Sequence, residues 1–346
     1  MKSTVYKLDP LVDARWPLFL SRHPKASVFH TREWLQALGR TYGYVPVAFT
    51  TSSPEDDLEN AVVFCHVKSW LTGSRLVSLP FSDHCQPLAE SADLSVILES
   101  LQDQSAGRFK YIELRPLYSP AGMDCEKFVK SDGFSFHKVD LRPGLDEIYK
   151  MLHDSCIRRK IKRAEREKVT YEAGHSEELL QKFRRLLLLT RRRHKLPPQP
   201  AEWFRNLASC FRDALTIHVA SKENNPIASI ITLSSKNSLV YKYGCSDSKY
   251  SNLGGTPFLF WKAIQEGKRQ GAEEFDLGRS GSDDPGLIAF KEHLGGIKEQ
   301  LSYYRHPAGT LHQEGLNERM AWAKQVLVRL PDPVFSSVGR LYRHLG

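Results

Sequence analysis

The stretch 241–280, YKYGCSDSKYSNLGGTPFLFWKAIQEGKRQGAEEFDLGRS, decides the fold that we predict for this chain. Its first residues belong to LVYKYGCS, a β-branched and aromatic run from Leu239 that is typical of a strand. A helix is predicted over FLFWKAIQEGKRQ, with Gly271 as its C-terminal cap, and a second strand, EEFDLGRS, starts at Glu273. The stretch therefore predicts an α/β unit in which a helix links two strands.

The segments on both sides enlarge this unit. Two helices precede it, at 176–195 and about 201–212, and two strands follow them, LTIHVA from Leu215 and ASIITLSS from Ala228. The turn-rich sequences KENNP and KNS separate these strands from each other and from Leu239. After the stretch we predict the helix GLIAFKEHL and a strand from Lys298.

The first half of the chain shows the same order of elements. Helix Thr31–Tyr42 precedes three strands, a helix from Ser91, a strand from Tyr111, a short helix near 122–130 and a strand from Phe134; the three strands start at Val45, Asn60 and Arg75. Corresponding strands of the two halves lie about 162 to 170 residues apart, although few residues are identical. We therefore predict two similar α/β units, at 1–150 and 151–306, and a helical tail at 307–346.

Length and composition agree with two globular domains. The chain has 346 residues, of which 41% are hydrophobic and 26% charged, which excludes disordered and collagen-like classes. The start lacks the apolar core of a signal peptide, and no run is long enough to span a bilayer. The six cysteines form no CxxC pair, so we expect reduced thiols, no metal site and a cytoplasmic protein.

Positive charge is concentrated in two runs of predicted helix. Residues 157–168, IRRKIKRAEREK, and 182–195, KFRRLLLLTRRRHK, together hold 14 basic and two acidic residues, a net +12. Because the whole chain carries +9, the remainder carries −3. Two solvated helix faces would explain these runs, but their density also favours a polyanion such as coenzyme A, a tRNA or an acidic membrane surface.

Four stretches together resemble the FemAB-like branch of the GNAT superfamily, the tandem-GNAT acyltransferases, and most of all its exopolysaccharide-associated type. They are HTREWLQALGRTYGY at 30–44, SCIRRKIKRAEREKVTYEAG at 155–174, the stretch 241–280, and GLIAFKEHLGG at 286–296. The resemblance implies an α/β (α+β) fold of two tandem GNAT-like units, each a mixed central sheet flanked by helices. It also implies that the acyl donor binds in the second unit, where central strands separate.

The activity implied by the resemblance is N-acyl transfer to an amine of a glycan-, peptide- or nucleotide-linked acceptor, in cell-envelope or exopolysaccharide metabolism. No tightly bound cofactor is expected, and the co-substrate would be acyl-CoA, such as acetyl-CoA, or an aminoacyl-tRNA. Two alternatives stay open: a non-catalytic scaffold in a polysaccharide-assembly complex, and an aminoacyl-tRNA-dependent peptidyl transferase. The resemblance also implies that the tail at 307–346 packs back on the first unit. A peripheral membrane contact through the tail is the alternative.

The candidate donor site follows from the family motifs. A CoA-binding GNAT carries Gln/Arg-x-x-Gly-x-Gly/Ala before its central helix, whereas this chain reads Ser251-Asn252-Leu253-Gly254-Gly255-Thr256. A phosphate-approaching loop is still expected there, with Pro257 at the first helical position. We assign donor binding to Tyr243, Gly244, Asn252, Gly254, Gly255, Thr256, Arg279 and Ser280. Two structural alternatives stay open. Tyr243 and Gly244 would be a core tyrosine beside a strand-ending glycine, and Arg279 and Ser280 would belong to a polar turn after a strand.

Lys291 is the leading catalytic candidate, because a lysine in the matching Phe-Lys helix of the family helps to hold developing charge. Replacing it by alanine should then lower turnover and leave the melting temperature almost unchanged; an exposed helical lysine with Phe290 packed inward is the alternative. Asp83 and His84 are candidates for substrate binding or general-base catalysis, although adjacent side chains seldom pair. Arg159 and Arg163, with Phe290, are candidates for substrate or phosphate contacts.

Overall fold

The computed structural model describes residues 4–69, 73–105, 108–119, 128–307 and 330–339. The chain forms two compact units. The first contains Met1–Phe134 and resumes at Gln300, and the second contains Ser135–Glu299. The first boundary between the units thus lies near residue 134 and not at the predicted residue 150. The second boundary lies between Glu299 and Gln300, inside the last long strand of the chain.

The first unit has a six-stranded mixed sheet. Its order is β1 (Tyr6–Leu8), β2 (Val45–Thr50), β3 (Val62–Ser69), β4 (Gly73–Val77), β5 (Tyr111–Leu114) and β12 (Ile297–His306). All neighbours are antiparallel except β4 and β5, which are parallel. Helices α1 (Arg15–Arg22), α2 (Arg32–Tyr42) and α3 (Ser91–Ser105) belong to this unit.

The second unit repeats this sheet order. Its strands run in the order β6 (Val129–Asp140), β11 (Glu274–Ser280), β10 (Ser238–Ser246), β9 (Asn225–Ser235), β8 (Leu215–Lys222) and β7 (Thr170–Gly174). Only β10 and β11 are parallel. Its helices are α4 (Leu145–Met151), α5 (Arg159–Arg166), α6 (Glu177–Arg193), α7 (Ala201–Phe211), α8 (Gly255–Arg269), α9 (Pro285–His293) and α10 (Asp332–Val338).

The two units exchange their sixth strands. The strand that follows β5 in the chain is β6, yet it pairs with β11 of the second unit, and β12 pairs with β5 of the first. Strand β6 therefore completes the second sheet although it precedes every other strand of that sheet in sequence. The predicted tandem of two similar α/β units is confirmed, with this exchange added.

Local sequence explains most helix ends. In α2 the Thr31 hydroxyl accepts a hydrogen bond from the Trp34 N–H, and the helix stops at Gly43, whose φ of +72° suits glycine. In α6 the Ser176 hydroxyl caps the Leu179 N–H, and the predicted apolar stripe is buried. The stripe comprises Leu179, Leu180, Phe183, Leu186 and Leu187.

Two predicted elements fall partly or wholly outside the described residues. The short helix at 122–130 covers 122–127, which are not described, and Val129 and Lys130 belong to β6. Most of the predicted tail is likewise outside, and its described part, 330–339, packs on α6 of the second unit. Arg192 donates to the Leu330 carbonyl at 2.8 Å and pairs with Asp332 at 2.6 Å, which differs from the predicted packing on the first unit.

Helix lengths and compositions bear on membrane insertion. Within the residues that the structure describes, no helix is both long enough and apolar enough to cross a bilayer.

Candidate functional site

Strands β10 and β11 separate part of the way along the second sheet. Their parallel pairing covers three residue pairs, from Ser238 with Glu274 to Val240 with Asp276. Beyond Val240, β10 stays paired with β9 as far as Ser246. Strand β11 stays paired with β6 on its other side as far as Ser280. In the described structure, Tyr241–Cys245 therefore presents a strand edge that β11 does not pair, and such an edge offers main-chain N–H groups to a ligand.

A bulge shapes this edge. The register with β9 shifts between Tyr241 and Tyr243, and the two rings then lie against different helices. Tyr241 packs on Phe260 of α8, with 4.9 Å between ring centroids, while Tyr243 packs on Phe204 of α7 at 5.1 Å. The Tyr243 hydroxyl accepts a hydrogen bond of 2.7 Å from the Trp203 indole, which holds this ring away from α8.

Gly244 is required by close packing. A Cβ at this position would meet the Tyr241 hydroxyl oxygen and lie 3.1 Å from its ring carbon Cζ. Glycine in a strand marks such a close approach. Gly244 is thus explained by packing, because the Tyr241 ring is folded across it, and its role in donor binding stays a prediction.

Strand β11 is bulged beside the same opening. Its register with β6 shifts between Asp276 and Arg279, where Gly278 adopts a φ of +69°. The buried Asp276 carboxylate accepts the Gly278 N–H at 2.6 Å and so closes a tight turn within the strand.

Lys291 holds the other side of this bulge. Its ammonium donates to the carbonyls of Gly278 and Arg279, each at 2.9 Å, and its side chain is 2% exposed. Hydrogen bonds from a charged donor contribute about 1.5–3 kcal/mol. The alternative that Lys291 is an exposed helical lysine is wrong. Because its ammonium holds two main-chain carbonyls, we expect truncation to lower stability as well as turnover, in place of the almost unchanged melting temperature predicted from the sequence. A catalytic role for Lys291 stays a prediction.

Two buried polar groups lie near the bulge. Ser280 is 2% exposed, and its hydroxyl has no hydrogen-bond partner among the described residues. His137 of β6 is fully buried with its Nε2 3.9 Å from the Glu292 carboxylate. Burial, and then the charge of Lys291, lower the pKa of His137 below its ordinary value, so the ring is neutral at pH 7.

The ring of Phe290 continues an aromatic row from this site. It meets Phe260 edge-on at 5.4 Å, and Phe260 in turn contacts Tyr241. Helix α9, helix α8 and strand β10 are thereby packed together beside the strand opening. Phe290 is thus a packing residue in this structure, and a substrate contact for it stays a prediction.

The glycine-rich stretch before α8 is also explained by packing. Gly254 has a φ of +75°, and a Cβ there would clash with the main-chain carbonyl oxygen of Lys160 in α5. A Cβ on Gly255 would lie 3.1–3.2 Å from the side chains of Ile227 and Ala228. Asn252 is exposed and Thr256 half-buried, so both remain open to a ligand at the helix start.

The basic residues of α5 are only partly neutralised. Arg159 is 73% exposed and lies 3.4 Å from Asp154, and the Arg163 side chain, 41% exposed, lies 3.9 Å from Glu167. Because α5 packs on α8 through Lys160 and Gly254, these guanidiniums belong to the same region as the α8 N-terminus. Their role in phosphate binding stays a prediction.

Asp83 and His84 belong to the first unit, apart from the candidates above. The Asp83 carbonyl accepts a 2.6 Å hydrogen bond from the Tyr303 hydroxyl. The His84 ring is 4% exposed and lies edge-on to Phe29 at 5.2 Å. Both residues therefore contribute to packing in this structure, and a catalytic role for either stays untested.

Sequence reasoning missed three residues that shape the site: Asp276, Tyr241 and His137. Asp276 has a signal in retrospect, since an aspartate two residues before glycine is typical of a side-chain-closed turn. Tyr241 and His137 have none, because an aromatic or a histidine inside a strand does not reveal which neighbour it meets.

A protein-family model matches most of the second unit. Residues 154–292 match the family described as Acetyltransferase (GNAT) domain. This match covers α5 to α9, including the strand opening, the glycine-rich stretch and Lys291. No curated protein matches the chain in sequence.

Solved structures share the fold over most of the chain. FemX is 12% identical with a TM-score of 0.71, and the match covers 90% of this chain and 99% of that one. A tandem GNAT protein from the clavulanic acid biosynthesis pathway is 8% identical with a TM-score of 0.55, covering 88% and 98%. A protein of unknown function from Bacteroides thetaiotaomicron is 10% identical, with a TM-score of 0.55 and coverage of 87% and 99%. The predicted resemblance to the FemAB-like GNAT superfamily is confirmed at the level of fold.

Proposed function

We propose that this protein is an N-acyltransferase whose second unit binds the acyl donor with its carbonyl in the opening between β10 and β11. The observation that carries the proposal is the three-residue ladder that ends at Val240 and Asp276, followed by the unpaired edge of Tyr241–Cys245. A bulge on each side of the opening, at Tyr241 to Tyr243 and at Asp276 to Arg279, keeps the strands apart.

The chemistry needs an edge of this kind. An unprotonated amine attacks the donor carbonyl, a C–N bond forms, and negative charge develops on the carbonyl oxygen. Main-chain N–H groups on the β11 side of Tyr241–Cys245 would stabilise that oxyanion, and a single such donor is worth about 3–4 kcal/mol. The nitrogen then loses its proton, the bond from the carbonyl carbon to the leaving thiol or hydroxyl breaks, and the leaving group takes up a proton.

Lys291 serves this site as a positioning residue. Its two hydrogen bonds fix the carbonyls of Gly278 and Arg279, and therefore the path of β11 at the opening. Held in this way, the ammonium also places positive charge within the wall of the donor site, so its loss would alter both the shape and the field of that site.

The GNAT domain match supports an acyl-CoA, such as acetyl-CoA, as donor. The glycine-rich stretch gives weaker support for this donor, since packing against Lys160 and Ile227 already accounts for Gly254 and Gly255. An aminoacyl-tRNA is the second candidate, and the exposed arginines of α5 favour it, because a polyanion binds most strongly to clustered guanidiniums. The acceptor amine of a glycan- or peptide-linked substrate and a role in cell-envelope or exopolysaccharide metabolism rest on the sequence resemblance. A cytoplasmic location rests on the expectation of reduced thiols.

Donor binding tests the proposal. Titration of the full chain with acetyl-CoA in a calorimeter should show one site. Its binding constant should change much less between 50 and 200 mM salt than the binding constant of a tRNA would. Charged tRNA would instead lose roughly a thousandfold or more in affinity over that range if it makes 6–10 phosphate contacts. Absence of binding of both donors would contradict the proposal and favour the scaffold.

A lysine pair separates the site from general stability. Lys291→Met should lower transfer at least tenfold and reduce the unfolding free energy by about 2–3 kcal/mol, since two charged hydrogen bonds are lost. Lys298→Met is the matched control, because the Lys298 side chain is half-exposed and its contact with Glu292 is long, at 3.9 Å. Equal transfer rates for both variants, each measured below its melting temperature, would remove Lys291 from the site.

A further inference from the structure

Three metal-ligating side chains from separate segments of the second unit meet at its surface. His153 precedes the π-helical turn Asp154–Arg158, Cys156 lies within that turn, and His293 is the last residue of α9. One ligand atom from each residue lies within 4.8 Å of the other two, and the His153 and His293 ring centroids are 4.3 Å apart. None of these residues takes part in the proposed acyl transfer.

The backbone brings these residues together. The His153 N–H donates to the His293 carbonyl at 2.9 Å, which ties the turn to the end of α9. Within the turn, the N–H groups of Ile157 and Arg158 both bond to the His153 carbonyl, at 3.0 and 3.1 Å. This wider turn places Cys156 on the same side as His153, and π-helical turns are frequent at functional sites.

We propose that His153, Cys156 and His293 bind a transition-metal ion of the zinc class. Two imidazoles and a thiolate form a donor set that suits Zn²⁺, and three protein ligands leave a fourth position for water or another ligand. A tetrahedral site with Zn–N of about 2.0–2.1 Å and Zn–S of about 2.3 Å requires donor atoms roughly 3.3–3.6 Å apart.

Small side-chain rotations bring the three donors to that spacing. His153 is exposed, and Cys156 and His293 are half-buried, so an ion reaches them from solvent without any change in the core. The cost is the loss of weak contacts. The His153 Nδ1 accepts the Cys156 N–H at 3.3 Å and lies 3.4 Å from the Ser155 hydroxyl, which in turn lies 3.8 Å from the Cys156 sulfur. If Nδ1 binds the ion, this cap is lost; if Nε2 binds it, Nδ1 must carry the proton, and the cap is lost as well.

The surrounding charges are compatible with a cation. Asp154 lies in the same turn and pairs with Arg158 at 3.2 Å and with Arg159 at 3.4 Å, so these two guanidiniums are directed to a carboxylate. A bound ion would join the end of α9 to the π-helical turn. Because His293 lies two residues after Lys291 in α9, the ion would stabilise the helix that holds the β11 bulge.

Zinc binding to the full, reduced, metal-free chain tests the proposal. Competition with a chromogenic chelator should show one Zn²⁺ per chain, and affinity should fall as the pH is lowered, because the ligands must be deprotonated. Co²⁺ in its place should give the intense visible bands of a tetrahedral site and a thiolate charge-transfer band. Zinc should also raise the melting temperature in proportion to the logarithm of its free concentration.

Two variants and two controls complete the test. Cys156→Ser and His293→Gln should each weaken zinc binding by more than roughly a hundredfold, since even outer-shell changes cost about 10–100-fold, and Cys156→Ser should abolish the charge-transfer band. Cys210→Ser and His175→Gln change a half-buried cysteine and an exposed histidine elsewhere and should leave binding unchanged. No saturable zinc binding, or binding that both cluster variants retain, would overturn the proposal.

Discussion

The parallel strand pairs of the two units begin alike and end differently. In the first unit β4 and β5 pair over three residues, from Arg75 with Tyr111 to Val77 with Glu113, and in the second β10 and β11 also pair over three. In the first unit β4 then stops, and the following segment takes over the edge of β5: Ser78 N–H donates to the Glu113 carbonyl and Cys85 N–H to the Arg115 carbonyl, at 2.8 and 2.6 Å.

An acidic residue ends the ladder in both units, but its partners differ. Glu113 binds the guanidiniums of Arg115 and Arg305 at 2.7 and 2.6 Å, whereas Asp276 accepts a main-chain N–H from Gly278. The first unit thus fills the space between its strands with chain and paired charge, and the second leaves a strand edge unpaired. The difference teaches that one topology closes the space between its strands in one copy and leaves a strand edge unpaired in the other, depending on where a single strand stops.

Breaking the charge network of the first unit should have the largest effect. Burial alone would raise the pKa of the Glu113 carboxyl, but Arg115 and Arg305 outweigh it and hold the pKa below its ordinary value. Glu113→Gln leaves the buried Arg115 guanidinium without a countercharge and leaves Arg305 with only Asp132, at 3.2 Å. We therefore expect a loss of about 3–5 kcal/mol in the free energy of urea unfolding.

The control for this network is Asp132→Asn, which removes the outer partner of Arg305 at 3.2 Å. Its expected cost is below about 1 kcal/mol, because Asp132 is more exposed than Glu113. Similar losses for both variants would show that the network is not what closes the first unit.

Two glycine substitutions separate close packing from backbone strain in the second unit. Gly254→Ala should cost about 2–4 kcal/mol of unfolding free energy, because it adds a clash with the Lys160 carbonyl to the strain of a positive φ. Gly271→Ala is the matched control: its φ is +87° and nothing lies within 4 Å of the added Cβ, so we expect about 1 kcal/mol. If Gly254→Ala instead cost no more than the control but abolished donor binding, a phosphate role would replace the packing role.

A buried histidine in each unit should make both units sensitive to acid. Burial lowers the pKa of His30 in the first unit and of His218 in the second to about 4. The unfolded chain, with histidine pKa near 6.5, then binds more protons than the folded one, so stability is full above pH 6.5 and falls as pH drops towards 4. Each histidine should account for about 2 kcal/mol of loss between pH 7.5 and pH 5.

Chemical unfolding at several pH values checks this sign. His218→Gln should remove its share of the pH dependence and leave that of His30, whose Nε2 lies 2.9 Å from the Gln86 carbonyl. A stability curve that is flat between pH 7.5 and pH 5, or that rises towards acid, would contradict the neutral state of both rings.

The smallest effect concerns the edge of β10. Gly244→Ala should cost about 1–3 kcal/mol, because the new Cβ overlaps the Tyr241 hydroxyl. Adding Tyr241→Phe removes that oxygen and leaves the ring carbon at 3.1 Å, so the double variant should regain most of the stability. Failure of this rescue in thermal unfolding would mean that Gly244 is required by the backbone and not by its neighbour.

Much of the fold could be predicted from the sequence because the relevant signals are local. The stripe of Leu179, Leu180 and Phe183, the cap at Thr31 and the strands from Val45 and Leu215 depend on periods of 3.6 and 2 and on turn residues within a few positions. The repeated order of these elements was then enough to indicate two similar α/β units.

Other features depended on the tertiary structure, because they join residues that are distant in the chain. Strand pairing is not encoded in the period of a strand, so the exchange of β6 and β12 moved both predicted domain boundaries. The burial of Lys291 on the β11 carbonyls and the approach of Lys160 to Gly254 likewise arise only when separate segments pack. The amino-acid sequence by itself determined the elements and their order; packing decided which edge stayed open, and thus where chemistry is to be sought.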